Sequence, residues 1–173
     1  MATNSPSNGV MPRIVECQDS ITRPTGTTQY TAGDAISDNA TTATAAGVFT
    51  IDFGSLGSSV TLTDFTLVKS TNTATLATFW LLLFDAMPAV AGFQENVALA
   101  ITDAEMLTCK GVVTFAAADW SNVVIGDIQT VSKTIGFVNA AASSALYGVL
   151  VAGDTYTPAA SEVFTLTVKA LQG

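Results

Sequence analysis

Apolar residues recur at every second position along much of the chain. In residues 48–53, Phe49, Ile51 and Phe53 share one face and Thr50 and Asp52 the other. That is the period-two pattern of a half-buried strand. Residues 163–169 repeat it, with Phe164, Leu166 and Val168 inward and Thr165, Thr167 and Lys169 outward. Residues 131–137 place Val131, Ile135 and Phe137 on one face. In residues 60–68 the phase slips: Val60 and Leu62 share one parity, whereas beyond Asp64 the apolar set moves to Phe65 and Leu67. A one-residue slip predicts a β-bulge or a strand that changes sheet.

Residues 76–84 are apolar on both parities. A central strand covered on both faces reads this way, and a helix competes with it. Thr75, Thr78, Phe79 and Trp80 favour the strand, which Asp85-Ala86-Met87-Pro88 would end. One short helix is expected near 102–108. There Thr102 and Glu105 form a T-x-x-E capping box, with Gly111 closing the segment. Further strands fall near 13–17, 30–36, 111–116, 123–128 and 145–151. Nine or ten short strands, with turns rich in Gly, Asn, Asp and Ser and no βαβ alternation, predict an all-β fold. The expected form is an antiparallel, jelly-roll-like β-sandwich.

The 173 residues suit one domain, placed at 12–173. Residues 1–11 read as a polar N-terminal arm with little that could pack. Such an arm orders only against a partner. Its residues are candidate protein contacts: Met1, Ala2, Thr3, Asn4, Ser5, Pro6, Ser7, Asn8, Gly9, Val10 and Met11. The segment has neither the basic nor the apolar region of a secretory signal, and the densest apolar run, Phe79–Phe84, is far short of the ~20 residues of a spanning helix.

Charged residues make up 12% of the chain, about half the usual share. Much of the surface must then be Thr, Ser, Ala and Asn, which is cheap to desolvate against another protein. The net charge is −8, from 14 acidic and 6 basic residues. Lys69, Lys110, Lys133, Lys169, Arg13 and Arg23 stand singly in the sequence. Neither nucleic acid nor an anionic membrane is expected as a partner.

The chain has no histidine, and no nucleophile elbow, P-loop or dinucleotide fingerprint is present. No enzymatic activity and no cofactor are expected. Asp34 and Asp38 could serve a metal or a pair of catalytic acids. Asp34 after Gly33 reads first as turn chemistry, as does Asp154 after Gly153. Cys17 and Cys109 lack metal-ligand spacing and read as two buried, reduced thiols, with a disulfide as the alternative if their Cα atoms come within roughly 7 Å. Asn39-Ala40-Thr41 matches a glycosylation acceptor, which without a secretion signal reads as accidental. Trp80, in the most apolar strand, reads as core. Tyr30, Trp120 and Tyr156 are candidate exposed aromatics that could stack on a sugar.

Two segments carry a resemblance. Ile21-Thr22-Arg23-Pro24-Thr25-Gly26-Thr27-Thr28-Gln29-Tyr30-Thr31-Ala32-Gly33-Asp34-Ala35-Ile36 resembles an ITRP…TTQYTAGD segment of proteins encoded by tailed bacteriophages. Ser70 through Pro88 resembles the same proteins' TNTARFRLHLF-x-x-x-P stretch, and Ser144–Leu150 with Tyr156-Thr157-Pro158 fits as well. The middle strand departs from that pattern, with Leu76, Phe79, Trp80, Leu81 and Leu82 where relatives carry polar residues. The resemblance implies a virion structural protein, without catalytic residues to carry over. Its expected role is a capsid decoration or cement protein on the particle exterior, assembled in the host cytoplasm. The expected partners are the major capsid protein and copies of itself in a homotrimer. A tail-associated, glycan-binding module is the alternative.

Overall fold

Two antiparallel sheets close over a shared apolar core. The computed structural model describes residues 13–38, 47–54, 60–71, 76–89, 93–123, 126–132, 137–138 and 145–172. The expected arm over 1–11, the Asn39-Ala40-Thr41 acceptor and residues 133–136 of the 131–137 strand lie outside them.

The strands are β1 (Arg13–Thr22), β2 (Ala35–Ile36), β3 (Phe49–Asp52), β4 (Val60–Lys69), β5 (Phe79–Phe84), β6 (Cys109–Phe115), β7 (Ser121–Val123), β8 (Gly126–Ser132), β9 (Phe137–Val138), β10 (Ala145–Ala152) and β11 (Val163–Gln172). Sheet one runs β1-β11-β4-β8-β7, with β9 beside β4. Sheet two runs β2-β10-β5-β6, with β3 beside β10. The chain passes repeatedly from one sheet to the other, which is compatible with the jelly-roll expectation. The region expected as one strand at 123–128 is a tight pair, β7 and β8, and the segment from 131 is divided between β8 and β9.

Each sheet turns one parity inward. Ile21 of β1, Leu62, Phe65 and Leu67 of β4, and Phe164, Leu166 and Val168 of β11 meet Ile36, Phe49, Ile51, Phe79, Leu81 and Leu83 of sheet two. The phase slip in β4 is a bulge. Lys169 pairs with Asp64 and Ala170 with Leu62, leaving Thr63 as the extra residue. The Thr63 hydroxyl donates to the Lys169 carbonyl at 3.2 Å, so the bulge keeps both Leu62 and Phe65 in the core.

The two-sided apolar pattern of 76–84 is a strand, between β10 and β6. Its inner face joins the main core. On its outer face Phe84 joins a second cluster with Val48, Phe93, Val149 and Val151, and Leu99 and Ile101 pack against it. The segment around 93–101 therefore covers one end of the outer face of sheet two. It leaves the other end uncovered, and Trp80, expected in the core, is 36% exposed there.

The helix forms as α1 (Asp103–Met106), with both halves of the Thr102/Glu105 capping box in place. Gly111 does not close it. The helix ends at Leu107, and Gly111 lies inside β6. Glu105 accepts from the Thr102 amide at 2.8 Å and its hydroxyl at 2.6 Å, and these bonds lower its pKa.

At the centre of the core, Phe79 meets Trp120, Tyr156 and Phe164 edge-on, with centroids at 5.8, 5.3 and 5.4 Å. Edge-to-face pairs add to plain burial. Phe79→Ala is expected to lower the unfolding free energy by about 3–5 kcal/mol, measured by urea denaturation. A loss below about 1 kcal/mol would contradict this packing.

Candidate functional site

The inward parity of three strands continues two residues past its apolar set into charged residues. In β4, Phe65 and Leu67 are followed in phase by Lys69. Ahead of β11, Glu162 is in phase with Phe164. After β1, Arg23 is in phase with Ile21. All three are buried and gather two polar clusters beneath the loops at one end of the sandwich.

The first cluster is Arg23, Tyr30 and Glu95. Arg23 and Glu95 form an ion pair at 2.5 Å, with side chains only 2% and 7% exposed. The Arg23 Nε also donates to Glu95 Oε1 at 2.7 Å and to the Tyr30 hydroxyl. Tyr30 in turn donates to Glu95 Oε1. The other carboxylate oxygen accepts the Ser37 amide at 2.8 Å. Arg23 completes its bonding with the carbonyls of Ala159 and Gly26, at 3.1 and 3.4 Å. One carboxylate thus ties together the loop after β1, the segment after β2 and the 93–97 turn. Burial alone would lower the Arg23 pKa, but Tyr30 and the Glu95 carboxylate outweigh it and hold the guanidinium protonated. Burial first, and the Glu95 charge second, push the Tyr30 phenol far above its ordinary range, against the opposing pull of Arg23.

The second cluster is Lys69, Tyr156 and Glu162. The Lys69 ammonium lies over the rings of Tyr156 and Trp120, 5.2 and 5.7 Å from their centroids, in cation–π geometry. Glu162 accepts from the Tyr156 hydroxyl and from the Thr71 hydroxyl. The two clusters are joined. Tyr30 and Tyr156 stack with centroids 6.0 Å apart and planes at 16°, their backbones exchange hydrogen bonds at 2.8 and 3.4 Å, and the Arg23 amide donates to the Glu162 carbonyl at 2.9 Å.

The three aromatics expected on the surface are therefore internal. Tyr30 and Tyr156 are fully buried and Trp120 is 7% exposed, its indole donating to the Ala77 carbonyl at 2.9 Å. Each polar tip finds a partner inside, which lets these rings lie in the core. The expectation of a sugar platform on Tyr30, Trp120 and Tyr156 is corrected accordingly.

Asp34 does turn chemistry. Its Oδ2 accepts from the Thr31 amide at 2.6 Å and hydroxyl at 2.9 Å, after Gly33 at φ +99°, a conformation suited to glycine. Asp38 is exposed. Asp154 reaches across instead, accepting the Thr78 amide at 3.1 Å. Among the described residues, no group of three or more His, Cys, Asp or Glu side chains could hold a metal ion. Cys17 and Cys109 are free thiols. Both are half-buried rather than fully buried, and burial pushes the Cys17 pKa up. A half-open cavity of about 300 Å³ lies between the 23–28 loop and the 95–96 turn, with Arg23 and Glu95 in its lining. Their charges are already matched to each other. No described helix is long and apolar enough to cross a membrane.

The outer face of sheet one is the second candidate. Across β1, β11 and β4 the register aligns Gln18, Thr167 and Thr66 in one row and Ser20, Thr165 and Val68 in the next. Gln18 donates to the Thr167 hydroxyl at 3.0 Å, and the Ser20 and Thr165 hydroxyls lie 2.8 Å apart. The neighbouring row, Glu16, Lys169 and Asp64, holds an exposed ion pair at 3.7 Å. Such a pair contributes little to stability.

No family model matches the chain, and no curated protein is similar to it in sequence. Among solved structures, a chain from the native virion of Kashmir bee virus at neutral pH superposes with a TM-score of 0.35 and 10% identity. The match covers 93% of this chain and 71% of that one. A score this low carries no weight for function.

Two outcomes test the clamp. Glu95→Ala strands the Arg23 cation and is expected to cost about 3–5 kcal/mol in urea unfolding, whereas Arg23→Met with Glu95→Leu recovers most of it. Alkali supplies the other. The unfolded chain releases the Tyr30 proton near pH ~10, while the folded chain retains it well above that. Stability is therefore held below that pH and falls as pH rises further. Tyr30→Phe should flatten part of that fall in pH-dependent melting; an unchanged alkaline limb would count against the buried phenol.

Proposed function

We propose that this chain is a non-enzymatic structural protein of a virus particle, a capsid decoration or cement protein of a tailed bacteriophage. One observation carries the reading: beside the charged Glu16, Lys169 and Asp64 row, the outer face of sheet one has two uncharged rows, Gln18–Thr167–Thr66 and Ser20–Thr165–Val68, whose side chains bond across β1 and β11. Those rows can be covered by another protein without stripping water from charges. A sandwich locked at one end by the buried Arg23–Glu95 ion pair is rigid, so binding loses little conformational entropy. Repeated weak attachments on a symmetric shell multiply through effective concentration. The net charge of −8 favours a position away from packaged DNA.

The sequence resemblance supports the same reading. Its first segment, Ile21–Ile36, supplies Ile21, Arg23, Tyr30, Asp34 and Ile36 to the interior. In this chain that segment builds the fold and its clamp. What resembles the phage proteins is thus a scaffold. The glycan-binding alternative loses its stated support, since Tyr30, Trp120 and Tyr156 are inside.

The reading places the protein on the capsid exterior, against the major capsid protein and copies of itself, with residues 1–11 extending over a neighbour. Cryo-microscopy of particles from the encoding virus should show it at regular positions on the shell. A chain lacking residues 1–11 should melt at the wild-type temperature and lose occupancy on particles. Absence of the wild-type protein from purified particles would overturn the assignment, and full occupancy without the arm would remove the arm's role.

A further inference from the structure

The half-open cavity between the 23–28 loop and the 95–96 turn has Arg23 and Glu95 in its wall, and every residue lining it is among those described. Both charged side chains are nearly fully buried, so this part of the wall is fixed in place. Their charges cancel. An anion would meet the Glu95 carboxylate and a cation the Arg23 guanidinium, and each of those groups is already spoken for by the other. A purely apolar guest would leave the polar lining without partners. The cavity therefore selects an uncharged ligand rich in hydrogen-bonding groups.

Asn96 narrows the choice. It lines the cavity from a backbone at φ +56°, and its amide oxygen is buried with no hydrogen-bond partner. An unpaired buried acceptor is costly until a donor reaches it. A turn of this amide toward the cavity would offer the oxygen to a ligand hydroxyl. Thr25 and Thr28 add two hydroxyls, each both donor and acceptor, and Pro24 adds an apolar ring.

We infer that this cavity binds one ring of an uncharged sugar. Neighbouring ring hydroxyls donate and accept at close spacing, which suits a wall that mixes guanidinium, carboxylate, amide and hydroxyl groups. The C–H face of the ring would pack on Pro24. A volume of about 300 Å³ is at the small end for ligand pockets, so one ring enters, and the open mouth leaves room for a chain attached to it. A peptide fits less well, because its side chains would find no apolar pocket here. Tyr30, Trp120 and Tyr156 take no part, since none of them lines the cavity. The inference rests on the fold and not on the virion assignment.

Saturation-transfer NMR on the isolated protein, with D-glucose, D-galactose, D-mannose and N-acetyl-D-glucosamine each at about 10 mM, well above a millimolar dissociation constant, should show transfer to at least one of them. That sugar should also shift the backbone amides of Thr28 and Asn96. Asn96→Gly removes the side chain at a backbone angle that suits glycine. It should melt no lower than wild type and bind the sugar about tenfold more weakly. Thr28→Val, which keeps the shape and removes one hydroxyl, should also weaken binding. Gln18→Ala, on the outer face of sheet one, should bind as wild type does. The proposal would be overturned by no transfer to any of these sugars, by undiminished binding in both Asn96→Gly and Thr28→Val, or by loss of binding in Gln18→Ala. Stronger shifts of the same two amides by acetamide or inorganic phosphate than by any sugar would overturn it as well. Because no particles are involved, such a failure is distinct from the protein being absent from virions.

Discussion

The desolvated pairing of Arg23 with Glu95 is the constraint that organises this molecule. A guanidinium and a carboxylate removed from water tolerate few geometries, because every remaining donor and acceptor must find a partner. Here the partners come from distant parts of the chain: the Tyr30 hydroxyl, the Ser37 amide and the Ala159 carbonyl. The Tyr30–Tyr156 stack then couples this pair to Lys69 and Glu162. Loops that would otherwise lie loosely over the end of a sandwich are held in one arrangement. The apolar core supplies most of the driving force; the polar clusters restrict which closure of the sheets is acceptable.

Much of the fold was legible because period-two alternation reports directly on strands. The Asp64 phase slip marked a real bulge, and the Thr102/Glu105 box marked a real helix. What failed was the assignment of residues to surface or interior by type. Trp80 looked like core because its strand is apolar, yet its parity points outward at the end that the second cluster leaves bare. Trp120 looked exposed because it follows Asp119 in a polar stretch, and Tyr30 and Tyr156 were grouped with it as sugar-stacking candidates, yet the tips of all three bond internally. Lys69 and Arg23 were read only as charges standing singly in the sequence, and Glu162 was not singled out. Each sits in phase with a buried apolar set, and following the alternation past the last apolar residue would have placed all three inside. Glu95 had no such signal: its partners lie 72 and 65 residues away in sequence, and only the folded arrangement brings them together.

The two faces of the sandwich suit different contacts. Sheet one presents two rows of hydroxyl and amide side chains that bond to each other, beside one row of charges. Sheet two presents a shorter apolar stripe around Trp80, beyond the reach of the second cluster.

The placement of β11 carries a last consequence. It lies between β1 and β4, pairing with both along nearly its full length, so the first described strand has no neighbour in its sheet until the last one is made. During synthesis, β1 leaves the ribosome before β11 and waits through some 140 residues of chain for its partner. Such non-local pairing is slow to form and leaves strand edges open in the interim. Chaperones that shield the open edge of β1 would therefore govern how much newly made protein reaches its final form.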